Sequence, residues 1–81
     1  MKKLRHTNAI YLDSTALKMI NYDEDALILE ATFANDEIYW YLNVPVNIWT
    51  DFLNVIYSGA SAGAFINKEI KPFYECIKIT D

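Results

Sequence analysis

Glu37-Ile38-Tyr39-Trp40-Tyr41-Leu42-Asn43-Val44-Pro45-Val46-Asn47-Ile48-Trp49-Thr50-Asp51-Phe52-Leu53-Asn54-Val55-Ile56 changes its period half-way, and that change decides the fold. Up to Leu42 the residues are β-branched or aromatic, the types that suit a pleated strand. From Pro45, which fits a first helical turn, the apolar positions Val46, Trp49, Phe52, Leu53 and Ile56 recur at three- and four-residue spacing. The spacing predicts an amphipathic helix with Asn47, Thr50, Asp51 and Asn54 on its polar side. Its wide apolar stripe must cover something.

Upstream lies the surface it can cover. Asn35-Asp36 is a turn signal, because short polar side chains tolerate left-handed backbone. Before it, Ala26 to Phe33 sets Leu27, Leu29, Ala31 and Phe33 on one face and Ile28, Glu30 and Thr32 on the other. The acidic turn Asp23-Glu24-Asp25 separates this run from a further strand over Ala16 to Tyr22. Three consecutive strands predict an antiparallel meander. Downstream, Gly59 ends the long helix, Ser61 caps a short helix through Phe65, Ile66 and Ile70, and Pro72 stops it. Phe73 to Ile79 alternates again and can add a strand at the C-terminal edge. Residues 1–13 form an arm, with a short strand near Ala9 to Leu12, and 14–81 form the domain. The expected class is α+β: a three-stranded meander packed by one long and one short helix.

The chain has 81 residues, 53% of them hydrophobic and 15% aromatic, which is enough for one core and no more. Its net charge of −4 is the wrong sign for a protein held to duplex DNA by phosphate neutralisation. Asp13 to Asp51 holds eight acids against the single base Lys18. No apolar run approaches the roughly 20 residues of a membrane span, and Met1-Lys2-Lys3-Leu4-Arg5-His6 lacks the apolar core of a signal peptide. A single cysteine, Cys76, makes no internal disulfide, so a cytoplasmic protein is expected. The apolar neighbours of Cys76 predict a buried, inert thiol.

Catalysis finds little support. The one histidine, His6, lies in the arm, away from any nucleophile it could activate. Metal ligation needs converging His, Cys or carboxylates, so no metal and no cofactor are expected. Asp23-Glu24-Asp25 lacks the ligand spacing of a calcium loop, and Gly59 and Gly63 make no phosphate-binding fingerprint. Two constellations remain. On a strand, Tyr39 and Tyr41 share one face while Ile38, Trp40 and Leu42 share the other. On an open face the tyrosines would offer stacking platforms for bases; on the covered face they would pack the core. A slip of one residue in register exchanges the two. The second is Ala60-Ser61-Ala62-Gly63-Ala64-Phe65-Ile66-Asn67-Lys68, where small residues at a helix start leave N–H groups accessible to an anion, with Lys68 and Lys71 supplying positive charge. Equally, Ser61 is a cap and Gly63 a close-packing position.

From about Ser14 to Phe73 the chain resembles the KTSC domain, a short module named for its occurrence at the C-terminus of some lysyl-tRNA synthetases. The resemblance is carried by Ser14-Thr15, Leu17, Ile20, Tyr22 and Asp23, then Leu29 and Phe33, Tyr39-x-Tyr41, Val44-Pro45, and Ser61-x-Gly63-x-Phe65-x-Asn67-x-x-Ile70. Asp36 stands where the family usually has a glycine, and Lys68 and Lys71 stand for its usual arginines. The family has no established activity; RNA binding is the suggestion it brings, carried here onto Tyr39 and Tyr41. With a net charge of −4, a short ligand fits better than a polymer.

The expected function is therefore a non-catalytic binding module for a nucleotide-like small molecule or short single-stranded RNA, acting by sequestration. Its site would comprise Tyr39, Tyr41, Ser61, Gly63, Asn67, Lys68 and Lys71, with no duplex DNA and no membrane as partner. The alternative is a protein-interaction or homo-oligomeric adaptor, built on exposed aromatics and the C-terminal edge strand.

Overall fold

The computed structural model describes residues 8–79. Its elements follow in the order β1 (Ile10–Tyr11), β2 (Leu17–Asp23), β3 (Ile28–Phe33), β4 (Ile38–Tyr41), α1 (Val46–Tyr57), α2 (Ala62–Phe65) and β5 (Cys76–Ile79). Between α2 and β5 the helix continues through a π-helical turn, Ile66–Ile70, closed by the Lys71 N–H on the Ile66 carbonyl at 2.8 Å. The strands form one antiparallel sheet in the order β1-β2-β3-β4-β5. The fold is α+β as expected, but the sheet has five strands rather than three. β5 is the edge strand expected within Phe73 to Ile79, and β1, only two residues long, falls within the short strand expected near Ala9 to Leu12; they add to the meander at its two edges.

Register assigns the faces. Ile20 pairs Ala31 and Ala31 pairs Tyr39; Tyr22 pairs Leu29 and Leu29 pairs Tyr41. These side chains share the face that α1 and α2 cover, and there Leu17, Ile20, Tyr22, Leu29, Ala31 and Tyr41 form one core with Trp49, Phe52, Ala62, Ile66 and Ile70. The tyrosines of β4 therefore lie on the covered face. A chain of rings holds the layers together: Tyr22 stacks on Trp49 with centroids 5.3 Å apart, Trp49 meets Phe52 edge-on, and Phe52 stacks on Phe65 at 4.7 Å. The Tyr22 hydroxyl, buried under α1, donates to the Val44 carbonyl at 2.5 Å. The other face carries Asn21, Glu30 and Trp40, all buried, with the Trp40 indole donating to Glu30 Oε2 at 2.8 Å.

The helix punctuation follows the sequence signals. Past Tyr57 the backbone turns left-handed at Gly59 (φ +84°), where the Gly59 N–H reaches the Ile56 carbonyl and the Ala60 N–H the Val55 carbonyl. That paired geometry satisfies carbonyls α1 would otherwise leave open. Within α1, Trp49 and Phe52 are buried, whereas Val46, expected in the apolar stripe, is exposed at the helix start beyond the edge of the core. Leu27, expected on β3, has φ +57° and belongs to the turn.

Candidate functional site

The helical layer stops short of one end of the sheet. There Thr15-Ala16, the β3–β4 turn, β4, Lys71 and Cys76 enclose a depression of about 480 Å³, within the range of small-molecule sites. Its apolar part is aromatic: Phe33 and Tyr39 meet edge-on with centroids 5.5 Å apart. The entry to β2 is tied to the turn by the Ala34 N–H on the Ala16 carbonyl at 2.9 Å.

Its polar groups divide into committed and uncommitted. Across the turn, Asn35 Nδ2 donates to Glu37 Oε1 while the Glu37 N–H donates to Asn35 Oδ1. Lys78, on β5, reaches Glu37 Oε2. The Lys78 ammonium, then Asn35, hold the Glu37 carboxyl below the usual carboxylate range, and Glu37 holds Lys78 above the usual lysine range. The Tyr39 hydroxyl also acts on that carboxylate. Tyr41 and Lys71 differ. Tyr41 is only 1% exposed and lines the depression, yet its hydroxyl has no hydrogen-bond partner among the described residues. Burial, with smaller contributions from Cys76 and Tyr39, pushes this phenol up to about 12, so it stays a hydrogen-bond donor at any ordinary pH. Lys71 is exposed and makes no ion pair among the described residues. An acceptor or anionic group would find a donor in the first and a counter-charge in the second.

Of the seven residues singled out from sequence, Tyr39, Tyr41 and Lys71 come together here. The others do not. Ser61 caps α2, accepting from the Ala64 N–H at 3.1 Å, and lines a separate depression of about 370 Å³ with Asp13, Ser14 and Ile56. Gly63 sits against Ala16: a Cβ built on it would lie 3.5 Å from the Ala16 methyl. Asn67 and Lys68 are exposed on the π-helical turn and line neither depression. The expectation of a buried thiol is overturned, since Cys76 is exposed. Its apolar neighbours in sequence lie on an edge strand that the helices leave uncovered, so they give it no shelter. Thr15, Phe33, Asn35, Glu37 and Cys76 were not singled out for the site, and only the turn chemistry of Asn35-Asp36 hinted at them. His6 lies outside the described residues.

The family model of the KTSC domain matches residues 13–74. The chain belongs to the KTSC domain family. The crystal structure of a KTSC domain protein from Yersinia pestis superposes with a TM-score of 0.78 at 30% identity, covering 90% of this chain and 97% of that one. A curated protein of Tsukamurella paurometabola is 28% identical over 68 residues, 84% of this chain and 96% of its own length. In this KTSC domain Asp36, in the β3–β4 turn, has φ +69°. A glycine there would take that conformation without strain. No helix among the described residues is long and apolar enough to cross a membrane.

Proposed function

We propose that this KTSC domain is a small, non-catalytic binding module for a nucleotide-type ligand, held in the depression between the β3–β4 turn and Lys71 and kept there by sequestration. The observation that carries the reading is Tyr41: a phenol hydroxyl without a hydrogen-bond partner among the described residues, on an otherwise buried side chain at the wall of an aromatic depression of about 480 Å³. The hydroxyl opens onto the depression, where an acceptor carried by a ligand can take the place of water. Lys71 is the neighbouring positive charge for a phosphate, and Phe33 and Tyr39 offer ring surface to a base. The geometry favours one nucleotide over a strand of RNA. Tyr41 is packed in the core and Tyr39 meets Phe33 edge-on, so the pair is not an open platform for successive bases.

Native mass spectrometry with a pool of mononucleotides and short RNA, followed by calorimetry on any adduct, tests this. A bound mononucleotide should lose about three- to tenfold in affinity with Tyr41→Phe, which removes one hydrogen bond and keeps the ring. Tyr41→Ala is the wrong probe, because truncating a buried aromatic costs about 3–5 kcal/mol of stability. No adduct with any member of the pool at millimolar concentration would sink the reading.

A second reading has its own support. Tyr11 and Tyr57 are each 76% exposed, Phe73 is 69% exposed, and β5 is an edge strand with no neighbour on its outer side among the described residues. Exposed rings beside an open edge suit an adaptor that pairs with another chain or a second copy. Light scattering separates the two: a mass that climbs with concentration favours the adaptor, and a strict monomer counts against it.

A further inference from the structure

We propose that Cys76 is a site of thiol–disulfide exchange, taking an anionic low-molecular-weight disulfide whose acceptor groups are held by Tyr41 and Lys71. The thiol is exposed, it lines the depression, and its residue is the direct cross-strand partner of Tyr41 in the β4–β5 ladder. An exposed thiol alone would be an ordinary surface group. What distinguishes this one is an independent donor beside it: Tyr41, a residue 1% exposed whose hydroxyl has no hydrogen-bond partner among the described residues, lines the same cavity. A carboxylate or amide carried into the depression on a disulfide would meet that donor, and the Lys71 ammonium, which makes no ion pair among the described residues, would meet its charge. Glu37, the acid in the lining, is already engaged by Lys78 and Asn35 and repels such a ligand less than a free carboxylate would.

The step balances without a further oxidant. The Cys76 thiolate attacks one sulfur of the disulfide, the old S–S bond breaks, and a new bond joins Sγ to that sulfur. The other half leaves as a thiolate and takes up the proton Cys76 released. One thiol is consumed and one is formed. A free low-molecular-weight thiol reverses the exchange. The adduct would fill the depression, so a bound nucleotide and the adduct should exclude each other; the exchange itself does not depend on the nucleotide reading.

The test follows intact mass over time with two probes of opposite charge, glutathione disulfide (anionic) and cystamine (cationic). It uses the wild-type chain, Tyr41→Phe and Lys71→Gln. The wild-type chain should favour glutathione disulfide, and the ratio of its rate to that of cystamine should fall about three- to tenfold in each variant. An unchanged ratio in both variants would overturn the proposal, leaving Cys76 a generic exposed thiol. Lys71 is exposed, so its variant decides the matter even if circular dichroism shows Tyr41→Phe to be misfolded.

Discussion

At the residue scale the clearest case is Asp36, the last of the three residues in a turn closed by the Phe33 N–H on the Glu37 carbonyl at 2.8 Å. Its φ of +69° is a left-handed conformation, which costs an ordinary L-residue roughly 1–2 kcal/mol and aspartate somewhat less. Against that stands its ion pair with Lys18, in which both side chains are mostly exposed, and such pairs contribute little. Asp36→Gly should therefore raise stability by about 0.5–1 kcal/mol, even though glycine also loosens the unfolded chain. A higher urea midpoint at unchanged slope is the expected readout. A second residue argues the opposite sign. The Tyr22 hydroxyl is the donor that satisfies the buried Val44 carbonyl, so Tyr22→Phe leaves that acceptor dry and should cost about 1–3 kcal/mol in the same denaturation experiment. The turn at Asp36 was legible from Asn35-Asp36. The Tyr22 bond was not, because it joins residues 22 apart that only the packing of α1 brings together.

At the scale of elements, the helices were the most legible part. Gly59 and Ser61 stand where sequence chemistry places them, in the left-handed turn after α1 and capping α2, while Pro45, expected in the first helical turn, sits one step earlier as the extended N-cap of α1. Local signals suffice there, since each is satisfied within a few residues. Gly63 is where locality fails. Its small size reads equally as anion access or as close packing, and the choice depends on Ala16, a residue from another part of the chain. A Cβ at Gly63 would make an ordinary 3.5 Å contact with that methyl, and the backbone there is not left-handed. Gly63→Ala should thus gain about 0.5–1 kcal/mol from helix propensity and leave the proposed nucleotide binding unchanged. Thermal denaturation with calorimetry checks both halves, and a loss of binding would restore an anion role to the α2 start. Ser61→Ala, by contrast, removes the side-chain acceptor for the Ala64 N–H and should cost about 1 kcal/mol.

On the scale of the whole molecule, what the sequence withheld was which face of the sheet the helices cover. The period of two fixes that Tyr39 and Tyr41 share a face, and it is silent on which face that is. The site was half legible for the same reason: Tyr39, Tyr41 and Lys71 converge only because the chain returns from α2 past the uncovered end of β4, bringing Lys71 and Cys76 to strands far upstream. Placing Tyr41 in the core has a thermodynamic consequence that the open-face alternative would not. Its phenol rises from the ordinary 10 to about 12 through burial first, and Tyr22 is raised as well, again through burial first. Both groups bind their protons more tightly folded than unfolded, so the stability linked to them is fully present below pH 10. It is lost as pH climbs from 10 toward 12, where the unfolded chain ionises and the folded one does not. For Tyr41 that loss is of the order of 2–3 kcal/mol. Denaturant melts from pH 8 to 12 should show the wild-type chain losing stability steeply above pH 10 and Tyr41→Phe losing it less. Comparing the two cancels the lysines, which titrate in the same range in both proteins. Parallel curves would place the Tyr41 hydroxyl in water rather than at the wall of a desolvated site, and the donor on which the proposed ligand site depends would be lost with it.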